Sequence, residues 1–271
     1  MSRHLADATP PAPSPVAAGP GRGGIDVRCV DVNQVFELDG EQVVALANVN
    51  LQIRAGESVA LFGPSGSGKS TLTALLAGLR RPSSGQVWLG DDELSARPER
   101  QLLRIRGHRI GVVVQNPSRS LLPYGTAEDN ILFAQRAVDR SRRREIVAPI
   151  TLLHQLGLAE LAGQRAGRLS GGEQQRLSIA VAMAGSPQLL LADEPTSQLD
   201  RHNRDLVVEL LAYVVAQFGT TVVVVTHDPV VADAMRRRVT LAEGRIIADG
   251  APAPTAFDTA GDRPGQNGGS A

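Results

Sequence analysis

The sequence is poor in lysine and cysteine, and its charges cancel. Lys69 is the single lysine among 28 lysine and arginine residues. Cys29 is the single cysteine, which excludes an internal disulfide and a cysteine-based metal cluster and fits a reducing cytosol. Basic and acidic residues balance at 28 each. Because no positive excess exists to hold a polyanionic backbone, nucleic acid is not expected as the main partner.

Long apolar runs are also absent. No stretch approaches the roughly 20 apolar residues that a membrane span requires, and runs such as 222–225 have the length of a strand. The first 24 residues are rich in proline, alanine and glycine and lack the apolar centre of a signal peptide. We therefore expect a disordered cytosolic tail at 1–24 and a second flexible tail at 251–271. A role at a membrane would require a separate, membrane-embedded partner.

Between these tails, strand and helix patterns alternate, which predicts an α/β fold with a mostly parallel sheet covered on both faces. Residues 27–36 and 43–53 alternate like antiparallel strands around an Asp39-Gly40 turn, and 86–89 joins this small layer. The remaining predicted elements are apolar strands at 58–62, 110–114, 189–192 and 221–225, helices at 71–79 and 201–218, and a mainly helical region at 116–185. The length of 271 residues is compatible with one large domain or two small ones.

The single lysine lies in a phosphate-binding pattern. Residues 63–71 fit G-x-x-x-x-G-K-[ST], the P-loop, between an apolar strand and an apolar helix as this motif requires. Its glycines let backbone N–H groups surround phosphates, and the compact ammonium of Lys69 reaches between the β- and γ-phosphates, where a planar guanidinium fits poorly. The predicted nucleotide-binding residues of the loop are Gly63, Pro64, Ser65, Gly66, Ser67, Gly68, Lys69, Ser70 and Thr71.

Two further segments complete this chemistry. Asp193 and Glu194 end an apolar strand, where Asp193 and Ser70 are expected to bind Mg²⁺ and Glu194 to polarise a water against the γ-phosphate. Residues 169–176 form a second glycine-rich turn that leads into a helix, and so a second anion-binding helix N-terminus. Because one nucleotide does not need two such sites on one chain, ATP held between two subunits is predicted.

The run Leu-Ser-Gly-Gly-Glu-Gln in this second turn is the signature of the ABC ATPase superfamily, which the chain resembles over about residues 25–250. The resemblance implies a P-loop NTPase fold with a small antiparallel β-subdomain and a helical subdomain at about 116–185. It also implies ATP hydrolysis with ATP and Mg²⁺. Gln198 departs from the family, which usually has a small residue or asparagine at that place.

Roles for single residues follow from the resemblance. Gln115 matches the glutamine that senses the γ-phosphate and Mg²⁺, His227 the histidine of the H-loop, and residues 197–200 the D-loop. Phe36 matches the aromatic residue that stacks on adenine. The implied catalytic set is Lys69, Gln115, Glu194 and His227; the implied Mg²⁺ ligands are Ser70, Gln115 and Asp193. The implied nucleotide contacts outside the P-loop are Phe36, Gln115, Ser170, Gly171, Gly172, Glu173, Asp200 and His227.

The type of ABC protein is indicated by local patterns. Leu121-Leu122-Pro123 with Thr126 to Asn130, and Thr226-His227-Asp228-Pro229, are similar to lipoprotein-release and macrolide-export ATPases. Residues 115–118 are similar to peptide importers as well. A peptide-type importer ATPase and a soluble ABC ATPase of iron–sulfur cluster assembly therefore stay open. Only 101 positions separate Lys69 from Ser170, which excludes the coiled-coil DNA-repair type.

The resemblance also implies partners. We expect a transmembrane permease that contacts residues 116–130, and a second ATPase subunit, identical or related, in an ATP-containing dimer. The chain would then lie on the cytoplasmic face of the cell membrane, held there by the permease. The arginine-rich segment 136–145 is interpreted as a solvated helix face, with a nucleic-acid or anionic-lipid patch as the alternative.

Overall fold

A computed structural model describes residues 23–38, 40–138 and 146–251. Its strands are β1 (Val27–Leu38), β2 (Glu41–Ile53), β3 (Ser58–Phe62), β4 (Ser84–Leu89), β5 (Asp92–Glu93), β6 (Ile110–Val113), β7 (Leu189–Asp193), β8 (Thr221–Thr226), β9 (Arg237–Ala242) and β10 (Arg245–Gly250). Its helices are α1 (Lys69–Leu76), α2 (Glu99–Arg109), α3 (Ala127–Arg136), α4 (Pro149–Gln155), α5 (Gly171–Met183), α6 (Arg201–Phe218) and α7 (Pro229–Asp233). None of the helices of the described residues is long and apolar enough to cross a membrane.

Four strands form an antiparallel layer in the order β2-β1-β4-β5. Val27 pairs with Ile53 on one side and with Leu89 on the other. Val27 and Cys29 face the core, as the period-two pattern requires, and a register shift after Cys29 brings Val32 into the same core. The predicted antiparallel layer is therefore confirmed. Gly40 forms the predicted turn with a φ of 83°, and Asp39 lies outside the described residues.

A six-stranded sheet in the order β10-β9-β3-β8-β7-β6 forms the centre of the molecule. Strands β9, β3, β8, β7 and β6 run parallel, and β10 is antiparallel to β9. Every residue of β8 is buried, as expected for a parallel strand covered on both faces. The predicted α/β fold with a mostly parallel core sheet is confirmed. Because the strands are parallel, the loops after β3, β6, β7 and β8 meet at one edge of the sheet.

The region after β6 is mainly helical, as predicted. Helices α3, α4 and α5 bury Ile131, Leu153 and Leu177 completely in a common core with residues of β7 and β8. Of the arginine-rich segment, residues 139–145 lie outside the described residues.

One helix prediction was inaccurate, and one helix was missed. The helix predicted at 71–79 begins at Lys69 and ends at Leu76, because Gly78 adopts a φ of 63° and turns the chain. Helix α2 was not predicted. It buries only Leu102 and Ile105, so its apolar periodicity is weak.

Candidate nucleotide site

Four of the predicted motifs lie together at the carboxyl edge of the parallel sheet. The P-loop follows β3, Gln115 follows β6, Glu194 follows β7, and His227 follows β8. In open α/β sheets, ligands bind outside the carboxyl ends of the strands. The sheet thus brings together four motifs that are separated by up to 164 positions in the chain (227 minus 63).

The P-loop conformation depends on three of its glycines. Gly63, Gly66 and Gly68 have φ of 154°, 80° and 99°, values that side chains with a Cβ rarely adopt. A Cβ on Gly63 would lie 2.2 Å from the Leu241 carbonyl oxygen, whereas a Cβ on Gly66 would meet no atom within 4 Å. The loop is therefore packed against the sheet at Gly63 and open on the side of Gly66.

Lys69 is buried, with 7% of its surface exposed. Its ammonium donates to the carbonyl oxygens of Gly63, at 2.7 Å, and Pro64, at 2.8 Å. The hydroxyl oxygen of Ser67 is buried without a hydrogen-bond partner among the described residues. An unpaired buried polar atom and a buried cation beside an open glycine loop fit a phosphate group, which accepts hydrogen bonds and carries negative charge.

Asp193 lies half-buried at the end of β7. Burial and the adjacent Glu194 carboxylate raise the pKa of its carboxyl group, and the Lys69 ammonium lowers it. Among the described residues, no group of three or more His, Cys, Asp or Glu side chains could hold a metal ion. The donors here are instead one carboxylate, the Ser70 hydroxyl and the Gln115 amide. This set fits Mg²⁺, which is commonly held by one or two carboxylates together with substrate phosphates.

Glu194 and His227 form a direct pair. The His227 Nδ1 atom lies 2.7 Å from Glu194 Oε1, and the Glu194 side chain is only 15% exposed. Glu194 has a φ of 47°, a left-handed conformation that costs on the order of 1–3 kcal/mol for a non-glycine residue. Its N–H donates to the Val225 carbonyl oxygen at 2.9 Å. Backbone strain therefore occurs at the residue predicted to act on water, where β7 and β8 hold it in place.

Gln115 contacts the D-loop. Its Nε2 donates to the hydroxyl oxygen of Ser197 at 3.4 Å, a long hydrogen bond between exposed groups. Ser197 also donates its backbone N–H to the Glu194 carbonyl oxygen at 3.3 Å. The structure thus places the predicted sensor glutamine beside the segment that follows Glu194.

The signature turn is the N-terminus of α5. Ser170 caps this helix by accepting from the Glu173 N–H at 3.3 Å, and Glu173 Oε2 accepts from the Ser170 N–H and hydroxyl at 2.8 and 2.7 Å. Gly171 and Gly172, the first residues of α5, have no intrahelical acceptor for their N–H groups. No hydrogen bond among the described residues joins this turn to the P-loop of the same chain.

Phe36 lies on β1, paired with Val43 of β2. Two positions further along β2, the Ala45 carbonyl oxygen lies close to Gly68 of the P-loop: a Cβ on Gly68 would be 2.5 Å away from it. The Arg80 guanidinium stacks 4.8 Å from the centre of the Phe36 ring. Phe36 thus lies on the strand pair that contacts the start of α1 at Gly68.

The family model for ABC transporters matches residues 46–197. This chain belongs to the ABC transporter family. The match contains the P-loop, Gln115, the signature turn and the Asp193–Glu194 pair. The predicted resemblance is therefore confirmed, and the chain is an ABC ATPase that couples ATP hydrolysis to transport.

Relatives of this ABC ATPase include lipoprotein-releasing system ATP-binding proteins LolD. The LolD protein of Anaeromyxobacter dehalogenans is 45% identical over 207 residues, which cover 76% of this chain and 85% of that relative. The LolD protein of Geobacter metallireducens is 40% identical over 221 residues, covering 81% and 97%. The predicted kinship with lipoprotein-release ATPases is confirmed by these similarities.

Solved structures of ABC cassettes share the fold. The ATP-binding cassette MJ0796, as a dimer in a post-hydrolysis state bound to ADP and Pi, superposes with a TM-score of 0.72. It is 34% identical, and the match covers 84% of this chain and all of that chain. The structure of cbiO1 from Clostridium perfringens has a TM-score of 0.74 at 26% identity.

Sequence reasoning missed several contacts of this site. Gly244, in the turn between β9 and β10, donates its N–H to the Ser67 carbonyl oxygen at 3.1 Å. Asn203 contacts the signature turn at Gly172, and Arg80 contacts Phe36. The pair Glu243-Gly244 is a turn signal, but nothing in its pattern indicates which loop it supports. These contacts join segments far apart in the chain.

Proposed function

We propose that two ATPase subunits, identical or related, enclose two ATP molecules and drive a membrane permease of the lipoprotein-releasing type. The Glu194–His227 pair carries the proposal, because it places a shielded carboxylate at the same sheet edge as the P-loop lysine. The LolD names of the relatives and the dimeric, ADP-bound state of MJ0796 support the assignment. Through the permease, the chain would lie on the inner face of the cell membrane.

The P-loop would bind the phosphates of ATP. On binding, Lys69 exchanges its two carbonyl acceptors for β- and γ-phosphate oxygens, which form stronger, charge-assisted hydrogen bonds. The backbone N–H groups at the start of α1 add the positive end of the helix dipole. Mg²⁺, held by Ser70, Asp193 and Gln115, would neutralise developing charge on the phosphates.

Glu194 would act as the general base. Its carboxylate would accept a proton from the attacking water, and His227 would orient that carboxylate through the 2.7 Å contact. Gln115, hydrogen-bonded to Ser197, would report the γ-phosphate to the D-loop. Phe36 would stack on adenine. This stacking predicts weaker ATP binding for Phe36→Ala than for Leu38→Ala, a replacement of an exposed side chain on the same strand.

The signature turn would bind the γ-phosphate of the ATP held by the other subunit. Gly171 supports this role, since its N–H has no intrahelical acceptor and a Cβ there would meet no atom within 4 Å. Together with Ser170 and Gly172 it forms a helix N-terminus that can approach phosphate closely. Asp200 caps α6 and accepts hydrogen bonds from Asn203, which in turn packs on Gly172 of this turn.

The permease would dock beside α3. Asn130 is buried and holds the preceding loop: it accepts from the Leu122 N–H at 2.6 Å and donates to the carbonyl oxygens of Leu122 and Thr126. The loop thereby presents Leu122 and Tyr124, which are 40% and 88% exposed. A groove of about 230 Å³ has Ser120, two positions before Leu122, together with Val112 and Ala134 among its lining residues. The lining mixes apolar side chains with the polar side chains of Arg106 and Ser178, a combination that fits a short amphipathic helix.

Cysteine crosslinking tests this docking site. A cysteine at Tyr124 should crosslink to a cytoplasmic loop of the co-expressed permease, whereas a cysteine at exposed Ile247 of β10, far along the chain from α3, should not. Crosslinks from position 247 alone would contradict the proposal.

Glu194→Gln tests the catalytic assignment. The variant should bind ATP and form a stable dimer visible by size-exclusion chromatography, while its turnover falls roughly 10²-fold or more, as expected when a general base is removed. Glu209→Gln, on the exposed face of α6, is the matched control and should behave like the natural protein. Continued hydrolysis by a monomeric Glu194→Gln variant would show that another group activates water.

A further inference from the structure

The first turns of α5 and α6 pack against each other at Gly172 and Asn203. A Cβ on Gly172 would lie 2.0 Å from Oδ1 and 2.3 Å from Cγ of Asn203. No side chain fits at such distances, so the Asn203 amide packs directly on the backbone of the signature turn. Gly171, one position earlier, has open space. The two signature glycines therefore face different surroundings: Gly171 faces outward, and Gly172 faces Asn203.

Asn203 is itself fixed by the D-loop. Its backbone N–H donates to Asp200 Oδ1 and its side-chain Nδ2 donates to Asp200 Oδ2, both at 2.9 Å. These two bonds orient the amide group, so that its oxygen faces Gly172. Charge-assisted hydrogen bonds of this kind are stronger than neutral ones.

The other end of the D-loop reaches the nucleotide edge of the sheet. Ser197 contacts Gln115 and the backbone of Glu194, whereas Asp200 lies at the start of α6. Gln115 thus contacts one end of the D-loop, at Ser197, and Gly172 contacts the other end through Asn203 and Asp200, while the backbone of residues 197–200 joins the two ends. Because Asn203 is both hydrogen-bonded and tightly packed, a displacement of the D-loop must move the Gly172 backbone or break these contacts.

We propose that Asn203 is a positioning residue that sets the signature turn relative to the D-loop of its own chain, and so acts on the ATP held by the other subunit. The inference rests on the shared-site arrangement in the proposed function. It predicts that Asn203 affects closure and turnover but not the binding of ATP to the chain's own P-loop.

Binding and association give the first test. In the Glu194→Gln background, Asn203→Ala should leave the affinity of the monomer for ATP within about twofold and weaken ATP-dependent dimerisation about tenfold, as expected for losing one hydrogen bond to a charged group. Analytical ultracentrifugation and a thermal melt supply the readouts. His202→Ala, which changes the adjacent exposed position of α6, is the control and should dimerise normally. Unchanged dimerisation, or a loss of monomer affinity, would overturn the proposal.

Mixed dimers of two differently tagged copies give the second test. With Asn203→Ala and Glu194→Gln on the same chain, the intact Glu194 of the other chain faces the altered signature turn, so turnover should fall about tenfold below that of a dimer with Glu194→Gln alone. With the two changes on opposite chains, the intact Glu194 faces an unaltered turn, and turnover should match that reference at chain concentrations that saturate dimerisation. Equal losses in both arrangements would overturn the proposal, because they are the result expected if Asn203→Ala only destabilises its own chain.

The same mixed dimers, made with Gly171→Asp in place of Asn203→Ala, test the shared site separately from the role of Asn203. If Gly171→Asp fails to distinguish the two arrangements, the shared site is wrong. If Gly171→Asp distinguishes them and Asn203→Ala does not, the shared site stands and the role of Asn203 is wrong. Asn203→Ser, which keeps a small polar group at this position, serves the same comparison if the alanine variant does not fold.

Discussion

The two helix N-termini proposed to bind phosphate are built differently. Helix α1 begins after Gly68, with no side-chain cap and no acidic residue in its first turn, and Lys69 is buried beside it. Helix α5 begins after Ser170, in a capping box with the Glu173 carboxylate. The backbone amides of Ser170 and Glu173 already donate hydrogen bonds within this box.

This difference indicates that the two helix N-termini would bind phosphate at different stages. The start of α1 offers a cation and unpaired amides, so it can hold a highly charged phosphate chain alone. The start of α5 carries its own negative charge and offers two glycine amides, so it is a weak anion site until a second subunit brings ATP to it. Binding within one chain would therefore precede the joining of two chains.

Lys69→Arg should have the largest effect, because it changes the side that binds phosphate alone. A guanidinium keeps the charge but does not fit where Lys69 reaches two carbonyl oxygens at 2.7 and 2.8 Å. Steady-state turnover should fall roughly 10²-fold or more, the order expected for losing a preorganised charge that stabilises the transition state. The melting temperature should be unchanged. Arg81→Lys, the reverse exchange at an exposed position, is the control, and near-normal turnover of folded Lys69→Arg would remove Lys69 from the mechanism.

Gly171→Asp should have the next largest effect, because it adds a carboxylate where the γ-phosphate of the other subunit would dock. The side chain has space, since a Cβ there meets no atom within 4 Å. Like charges across an interface cost several kcal/mol, so ATP-dependent dimerisation should weaken by about 10²-fold or more. ATP affinity of the monomer should be unchanged by equilibrium binding. Gly163→Asp, at another exposed glycine with open space, should change neither quantity, and a Gly171→Asp variant with lost monomer affinity would place the signature turn in its own subunit's site.

Most of the fold and the positions of the motifs could be predicted from the sequence. Strands β3, β7 and β8 are apolar runs, and each leads into a chemically distinctive residue, so parallel pairing had to bring these residues to one edge. The contacts that tune the site could not be predicted. Asn203 touches Gly172 and Gly244 supports Ser67 only because distant segments pack together, and side chains of ordinary polarity leave no periodic signal of such packing.

Glu173→Gln should have the smallest effect, and in the opposite direction. Glutamine can keep the capping box with Ser170, but it removes the negative charge from the turn that would meet phosphate. Hydrogen bonds from the Ser170 hydroxyl and N–H lower the pKa of Glu173, so the carboxylate is ionised at neutral pH. ATP-dependent dimerisation should therefore strengthen about twofold to fivefold, the size of a single charge effect at a helix end. The gain should shrink at high salt because this exposed charge is screened.

The pH dependence of dimerisation gives a second test of Glu173→Gln. Since the folded-state pKa of Glu173 is lowered, its capping stabilises the helix above the unfolded-state pKa and is lost as the pH falls through the folded-state pKa. The difference in dimerisation between natural protein and Glu173→Gln should therefore persist to acidic pH and vanish only below the usual range of glutamate. Asp129→Asn removes the matching charge from the Thr126 capping box of α3 and should leave dimerisation unchanged at every pH. Equal gains from Asp129→Asn and Glu173→Gln would mean that overall charge, rather than the signature turn, controls association of the two chains.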